Sequence, residues 1–168
     1  MGQEFEIRDA GPADFAAIGE LTVEVYVGEG HVSTASPYVS ELADTATRAA
    51  AAEVLVAMRG DELLGSLTVA RPGTAFADIA RDGELEFRML AVSKGARGLG
   101  IGTALVRRVI EIAHAEGFEA VVLTTMPSMQ DARRVYDRMG FAHAPERDWL
   151  TRTGLPLTVM RMDTTAAE

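Results

Sequence analysis

The chain has 168 residues, a formal net charge of −9, no cysteine, 48% hydrophobic residues and 24% charged residues. These values predict one soluble globular domain over 1–168 and exclude disulfides, thiolate metal ligands and an acyl-cysteine intermediate. The negative charge argues against non-specific binding to nucleic acid or an anionic membrane, and no signal peptide or membrane-spanning segment is evident, so a cytoplasmic location is expected.

The first half of the chain is predicted to alternate strands and helices. Apolar periodicity and turn residues give a strand at 4–8, a helix from Phe15 through Val25, a helix at 38–52, and strands at 54–58 and 63–70. The connection 71–83 that follows contains proline and glycine, so we expect a loop that could move.

The second half is organised around a strand at 85–92, a glycine-rich turn at 95–102 and a helix that begins at Ile101. The helix ends near Gly117, and the apolar strand that follows at 120–123 is of the kind that is buried in a parallel pairing. The remaining predicted elements are a helix at 129–139, closing strands at 141–149 and 155–162 around Thr153, and a frayed tail at 164–168.

Gly98, Gly100 and Gly102 lie where the strand gives way to the helix. Glycine turns let backbone N–H groups converge, and a helix N-terminus adds unpaired donors and partial positive charge, so the pattern predicts a phosphate site. A dinucleotide site is disfavoured because the spacing is G-x-G-x-G and the next strand ends in Thr124 and Thr125. A P-loop is disfavoured because no Lys-Ser or Lys-Thr follows the last glycine. The glycines alone leave a plain tight turn open.

Two motifs carry a family resemblance. Arg97–Gly102 reads RGLGIG, which matches (Arg/Gln)-x-x-Gly-x-(Gly/Ala), and Tyr136–Phe141 reads YDRMGF, which matches Y-x-x-x-G-F. In order and spacing, the chain resembles the GCN5-related N-acetyltransferases, the GNAT superfamily. The resemblance implies an α/β fold, with a mixed, mainly antiparallel sheet, helices on both faces and a central β-α-β acyl-CoA site.

The function that this resemblance implies is acetyl transfer from acetyl-CoA directly to a primary amine of a small molecule or peptide. The alternative is a catalytically silent acyl-CoA-binding sensor or interaction module on the same fold. No metal is expected, because His31, His114 and His143 are scattered and form no H-E-x-x-H pattern. An acidic chain suits a cationic acceptor, and a homodimer would follow family habit.

The resemblance assigns two groups of residues to the cosubstrate. The turn residues would bind the CoA diphosphate, and the end of the preceding strand would lie beside the pantetheine arm, with the Leu90 amide as an oxyanion donor. The turn group is Arg97, Gly98, Leu99, Gly100, Ile101, Gly102 and Thr103, and the strand group is Leu90, Ala91 and Val92.

Tyr136 matches the family tyrosine that protonates the departing thiolate, and Glu86 matches a carboxylate base. Regular pleating would place Glu86, Arg88 and Leu90 on one face of the strand, whereas a bulge would change that arrangement. Three alternatives stay open for the base: a structural Glu86–Arg88 charge pair, Glu84 in its place, or a water chain.

The acceptor is expected to contact Tyr26, Glu29, His31 and Tyr38, from the loop between the first two helices and its flanks, and the closing hairpin. Many relatives carry Asn seven residues before the tyrosine, and Met129 stands there in this chain, so one cosubstrate contact is in doubt. For Trp149, packing is favoured over an acceptor-lining role.

Overall fold

A computed structural model describes residues 4–151 and 154–164 of the protein. Within these residues the helices are α1 (Phe15–Tyr26), α2 (Tyr38–Ala43), α3 (Thr45–Ala51), α4 (Ile101–Ala115) and α5 (Gln130–Met139). The strands are β1 (Glu6–Asp9), β2 (Glu53–Arg59), β3 (Glu62–Ala70), β4 (Glu84–Val92), β5 (Ala120–Thr125), β6 (Ala142–His143), β7 (Trp149–Leu150) and β8 (Pro156–Asp163).

The strands form one mixed sheet in the order β1-β2-β3-β4-β5-β8-β6, and β7 pairs with β8. Among the pairings of the described strands, β4 with β5 is parallel and the others are antiparallel. A parallel neighbour requires a crossover, which α4 provides. The α/β fold of the GNAT type is therefore confirmed.

Helices cover both faces of the sheet. Leu85 and Phe87 of β4 pack in one cluster with Leu105 and Val109 of α4. On the opposite face, Met89 packs with residues of α1 and α2. The two faces are called the α4 face and the α1 face below. Alternation along β4 therefore decides which side chains face which helical layer.

The parallel pair β4–β5 is short, which leaves an opening in the sheet. Its register joins only Glu84–Glu86 to Ala120–Val122, although β4 continues to Val92 and β5 to Thr125. Beyond Glu86 the two strands therefore separate. The edges of this opening are β4 from residue 87 onward and the last residues of β5.

A β-bulge interrupts β4 beside the opening. Ser66 pairs with Ala91 and Thr68 with Arg88, so two residues of β3 span three of β4. Met89 takes the positive φ of 59° that this extra residue requires. As a result Leu90 packs on the α4 face, whereas Met89 and Ala91 pack on the α1 face. Of the two arrangements considered from the sequence, regular pleating and a bulge, the strand has the bulge, so Leu90 does not share a face with Glu86.

The second predicted helix, 38–52, is broken in two. Asp44 has a non-helical ψ of 72°, and its carboxylate accepts from the N–H of Thr47 at 3.1 Å, which begins α3 with an N-cap. The predicted strand 141–149 is likewise interrupted by a 3₁₀ turn at Pro145–Arg147. Proline cannot donate to a ladder, so the strand becomes β6 and β7.

Thr164 is anchored rather than frayed, because its N–H donates to the Glu119 carbonyl at 2.9 Å and its hydroxyl to the Phe118 carbonyl at 2.6 Å. The other predicted tail residues, 165–168, and Thr153 lie outside the described residues. Across the described ranges, no helix is long and apolar enough to cross a membrane.

Candidate active site

The glycine turn has the backbone geometry that its sequence predicts. Gly98 and Gly100 have positive φ angles of 88° and 78°, and Gly100 is the left-handed N-cap of α4. Side chains rarely adopt such angles, so the turn requires glycine at both positions. Gly102 is different, because a Cβ there would meet Leu90 and Val92 side chains only at 3.9 and 3.7 Å. Neither backbone angle nor crowding in the protein explains this third glycine.

Unpaired backbone donors are concentrated in the turn and the first turn of α4. Among the described residues, no hydrogen-bond acceptor is found for the N–H groups of Gly98, Gly100, Ile101, Gly102 and Thr103. Such donors at a helix N-terminus, with the positive end of the helix dipole, suit an anion. This donor set fits the diphosphate of CoA.

The loop between α1 and α2 reaches both edges of the opening. The Arg97 guanidinium at the glycine turn forms an ion pair with Glu29, and His31 Nδ1 lies 2.8 Å from Ser128 Oγ in the connection between β5 and α5. Glu29 was predicted to contact the acceptor. In the structure its carboxylate pairs with the motif arginine, and His31 joins the loop to the far side of the opening.

Tyr136 lies in an aromatic cluster on the α4 face. Its ring packs edge-on against Phe87 at 5.8 Å and Phe141 at 5.9 Å between centroids, and 5% of the residue is exposed. Burial raises the pKa of the phenol, so it stays protonated at neutral pH. Leu90 and Val92 pack against the same cluster. A protonated hydroxyl group is thus held on the face onto which these residues of β4 project.

Glu86 is fully buried on the α1 face at the point where β4 and β5 begin to separate. Its Oε1 accepts from the N–H groups of Ile79 at 2.9 Å and Ala80 at 3.0 Å, and no described group donates to Oε2. Burial raises the pKa of the carboxyl group, although the two backbone N–H groups and the Arg88 charge oppose that effect. A carboxylate with a raised pKa is a better proton acceptor near neutral pH.

Glu84, the reserve candidate for the base, is held in a buried ion pair. Arg147 donates two bonds to its carboxylate, at 2.7 and 2.9 Å, and Arg161 donates a third at 3.0 Å. Burial alone would raise the pKa of Glu84, but hydrogen bonds from Arg147, the Arg81 N–H and Arg161 lower it to about 2. Such a carboxylate is a poor proton acceptor at neutral pH.

Arg88 does not pair with Glu86. Its guanidinium donates to the Tyr38 hydroxyl at 3.1 Å and the Phe76 carbonyl at 3.2 Å, and its ion pairs are with Asp78 at 3.4 Å and Glu41 at 3.9 Å. The structural Glu86–Arg88 pair is thereby dismissed. Arg88 instead joins α2 to the connection 71–83.

The two tyrosines predicted for the acceptor site lie close together. Burial raises the pKa of Tyr26 well above its usual value, and the neighbouring phenols of Tyr38 and Tyr136 add to that increase. Tyr26 and Tyr38 both pack in the apolar cluster of the α1 face, whereas Tyr136 packs in the cluster of the α4 face. Met129 and Tyr38 pack against the apolar cluster of the α1 face.

Several contacts around the site were not predicted. The backbone of Ile79 and Ala80 binds Glu86, and Arg147 binds both Glu84 and the Ile79 carbonyl, at 2.7 Å for the carbonyl. The indole of Trp149 lines a cleft beside these residues, and its Nε1 is buried with no partner among the described groups. No local motif marks backbone amides as ligands, although the acidic-basic pattern at 84–88 and 146–148 could have suggested paired charges.

No three histidine, aspartate or glutamate side chains in the ranges 4–151 and 154–164 are grouped so that they could hold a metal ion.

Sequence comparisons find similar proteins. The profile of the Acetyltransferase (GNAT) family matches residues 18–141. N-acetylaspartate synthetase of Danio rerio is 38% identical over 74 residues, which cover 44% of this chain and 26% of that protein. N-acetyltransferase 8F1 of Rattus norvegicus is 41% identical over 64 residues, which cover 38% of this chain and 29% of that protein. The matched region thus spans only about a quarter of each curated relative.

Solved structures share the whole architecture. A putative GNAT acetyltransferase from Desulfovibrio desulfuricans superposes with a TM-score of 0.74 at 18% identity, covering 95% of this chain and 99% of that chain. The putative acetyltransferase yncA from Salmonella typhimurium, solved with its cofactor acetyl-CoA, gives a TM-score of 0.68 at 22% identity and covers 95% of this chain and 94% of that chain. At these identities the likeness concerns the fold.

Proposed function

The chain belongs to the acetyltransferase (GNAT) family, and from that premise we propose that it transfers the acetyl group of acetyl-CoA directly to a primary amine of a small molecule or peptide. One observation carries the proposal. The glycine-turn N–H donors that have no acceptor among the described residues lie next to the opening between β4 and β5, with a buried phenol on one face of the sheet and a buried carboxylate on the other. This arrangement supplies an anion site, an acid and a base around one gap.

The glycine turn is proposed to bind the CoA diphosphate. Backbone N–H groups of Gly98, Gly100, Ile101, Gly102 and Thr103 are free to donate, and the Leu99 and Arg97 positions complete the turn. Gly102 leaves space beside Leu90 and Val92, where a Cβ would otherwise stand. The absence of a side chain there lets the pantetheine arm approach the edge of β4 closely.

The segment Leu90, Ala91 and Val92 is proposed to line the pantetheine arm, as an added strand does at an unpaired sheet edge. The bulge at Met89 turns Leu90 to the α4 face and interrupts the pairing with β3. Bound acetyl-CoA would supply the thioester carbonyl that the amine attacks. The Leu90 N–H would donate to the developing oxyanion, a role that requires no particular side chain.

Tyr136 is proposed as the general acid. Because burial raises its pKa, the phenol keeps its proton at neutral pH and can give that proton to the thiolate as the C–S bond breaks. Its ring packs edge-on against Phe87 and Phe141, which also pack edge-on against each other, and this packing restricts the orientation of the tyrosine ring.

Glu86 is proposed as the general base that removes a proton from the incoming ammonium group. Its Oε1 is occupied by two backbone donors, so Oε2 is the oxygen that remains able to accept a proton. Glu84 cannot share this task at neutral pH, because Arg147 and Arg161 hold it ionised.

The acceptor is proposed to enter on the α1 face, beside Tyr26 and Tyr38. The carboxylates of Glu41 and Asp78 lie near Arg88 there and are partly exposed, so the entrance is favourable to a cationic amine. Because one relative is named N-acetylaspartate synthetase, L-aspartate belongs in the first set of amines to be tested.

The test is thiol release from acetyl-CoA with purified protein and a panel of amines: L-aspartate, L-lysine, spermidine and a peptide with a free N-terminus. We expect release above the rate without amine for at least one acceptor. Tyr136→Phe should lower kcat about 100-fold, while calorimetry with desulfo-CoA should give an unchanged Kd.

Two other outcomes are informative. Tight CoA binding without turnover of any amine favours the alternative function, a silent acyl-CoA sensor. Failure to bind either CoA or acetyl-CoA would contradict both functions, because each requires the glycine turn to bind the CoA diphosphate.

A further inference from the structure

Besides Arg48 Nε and Trp149 Nε1, the buried side-chain atoms that lack a partner among the described residues lie on β4 and β5, the strands that flank the opening. Glu86 Oε2, Thr124 Oγ1 and Thr125 Oγ1 are all inaccessible, and no described group forms a hydrogen bond with them. A buried polar atom without a hydrogen-bond partner destabilises the folded state, because it has lost its bonds to water. Such atoms therefore call for an explanation in the chemistry of the site.

The register places Glu86 and Thr124 on the same face of the sheet. Glu86 is the partner of Val122, and Thr124 follows two residues later on β5. Side chains two apart on a strand share a face. An independent contact agrees with this assignment, because Arg161, the β8 partner of Val122, binds Glu84 on β4.

Thr125 faces the other way. It lies two positions after Leu123, which packs in the cluster of the α4 face. Thr124 and Thr125 are thus adjacent hydroxyl groups with the same unmet hydrogen-bonding capacity on opposite sides of one strand. Thr125 can therefore serve as a matched control for substitutions of Thr124.

Thr124 also lies beyond the last β4–β5 pair, where the strands have begun to separate. It therefore stands between Glu86, at the closed end of the gap, and the region of Leu90, where the amine would attack. Glu86 is completely buried beneath Ile79 and Ala80, so an amine in the gap does not touch its carboxylate directly. A proton must pass through an intermediary.

We propose that Thr124 is a positioning residue whose hydroxyl group, together with Glu86 Oε2, holds a water molecule that relays the ammonium proton to Glu86. This inference rests on the proposed function and adds a residue to its base. A threonine hydroxyl can donate to or accept from such a water, and a carboxylate oxygen accepts from it.

The relay balances in protons and bonds. One N–H bond of the ammonium group breaks as the water takes its proton and passes a proton to Glu86, which later releases it to solvent. The neutral nitrogen forms the C–N bond to the thioester carbon, and the C–S bond breaks. Tyr136 protonates the thiolate and regains a proton from the second N–H of the attacking nitrogen.

Other charges act on Glu86 and must be held constant in a test. Arg88 lowers and Asp78 raises the pKa of its carboxyl group, whereas the nearby Glu84 is paired with Arg147 and Arg161. Substituting a threonine on β5 changes none of these charges. A change in the titration of Glu86 would therefore report the hydroxyl group and its water.

The experiment compares Thr124→Val, Thr124→Ser and the control Thr125→Val. The first readout is the pKa of Glu86 from ¹³C carboxyl NMR, which requires no acceptor. We expect Thr124→Val to raise that pKa, because Oε2 loses its donor, and Thr124→Ser and Thr125→Val to leave it close to wild type.

The second readout is kcat/KM for the amine of the panel that turns over fastest. Thr124→Val should lower kcat/KM about tenfold and shift the acid limb of its pH profile, with an unchanged KM for acetyl-CoA. Thr124→Ser should restore most of the rate. A wild-type titration and pH profile in Thr124→Val, or equal losses in Thr125→Val, would overturn the relay.

The variant Glu86→Gln distinguishes the proposed relay through Thr124 from the proposal that Glu86 is the general base. If Glu86→Gln retains full activity, Glu86 is not the base and both proposals fall. If Glu86→Gln is impaired while Thr124→Val is not, the base stands and the relay through Thr124 is rejected.

Discussion

Glu84 and Glu86 lie two residues apart on the same face of β4, and both are buried. Arg147 and Arg161 bind the first, whereas in the described part of the chain the second is bound only by the backbone amides of Ile79 and Ala80. The pKa of Glu84 falls to about 2, and that of Glu86 rises. One strand thus holds a carboxylate in an ion-pair network and a second carboxylate that we propose as the general base, and the difference lies in the groups that donate to each.

The largest effect should come from Glu84→Gln, which leaves two guanidinium groups without their shared carboxylate. Removing one partner of a buried ion pair typically costs about 4 kcal/mol in the free energy of unfolding. Urea denaturation measures it. Glu62→Gln breaks an exposed pair with Arg59 and should cost less than about 1 kcal/mol. Equal losses in the two variants would show that Glu84 has no special structural role.

Glu86→Gln should instead lower activity and leave the fold intact. If Glu86 is the general base, as proposed, kcat/KM should fall about 100-fold, which corresponds to about 2.7 kcal/mol of transition-state stabilisation. The fold should persist, since the amide oxygen of glutamine can still accept from Ile79 and Ala80. The check is steady-state kinetics beside a melting curve. A large drop in Tm with an unchanged rate would reverse the roles of the two carboxylates.

The pH dependence of stability should distinguish them by sign. Glu84 has a lowered pKa, so its contribution is present above the unfolded value of about 4.3 and is lost as the pH falls through about 2. Glu86 has a raised pKa, so its ionisation destabilises the fold as the pH rises through that value. The Tm of Glu86→Gln relative to wild type should therefore be higher at pH 7.5 than at pH 4. A difference that stays constant would contradict the assignment.

The smallest effect concerns a partly exposed carboxylate. Glu29 pairs with Arg97 at the glycine turn, so it would compete for the guanidinium with the diphosphate that we propose binds there. Glu29→Gln should lower the Kd for CoA two- to threefold, within the range of about 0.2–1 kcal/mol typical of exposed pairs, and the gain should fade in high salt. Calorimetry against Glu24→Gln, an exposed glutamate on α1, controls for net charge. Identical Kd values would exclude the competition.

Much of this site could be predicted from the sequence because its signals are local. The glycines fix the turn, the helical period of α4 follows directly, and Tyr136 is marked by the downstream Gly140 and Phe141. These features depend on residues within a few positions of one another. Backbone angles and short-range spacing therefore suffice to find them.

The remaining features depend on contacts between distant segments or on backbone angles that the residue type does not predict. Met89 has no intrinsic preference for a positive φ, so the bulge could not be placed from the sequence. Arg97 and Glu29 are 68 residues apart, and only the fold brings them together. The break at Asp44 did have a local signal, an Asp three residues before Thr47 that serves as an N-cap.

The guanidinium of Arg147 fastens the closing hairpin to two other parts of the chain at once, the Glu84 carboxylate and the Ile79 carbonyl. Replacing this hairpin with that of another family member, in order to change the acceptor, would remove these Arg147 contacts together with the loop. A graft without an arginine at this point would leave the buried Glu84 carboxylate without its main ion-pair partner. It would also remove the bond to the carbonyl of Ile79, the residue whose N–H binds Glu86. Altered selectivity in such a chimera could then be mistaken for a redesigned pocket.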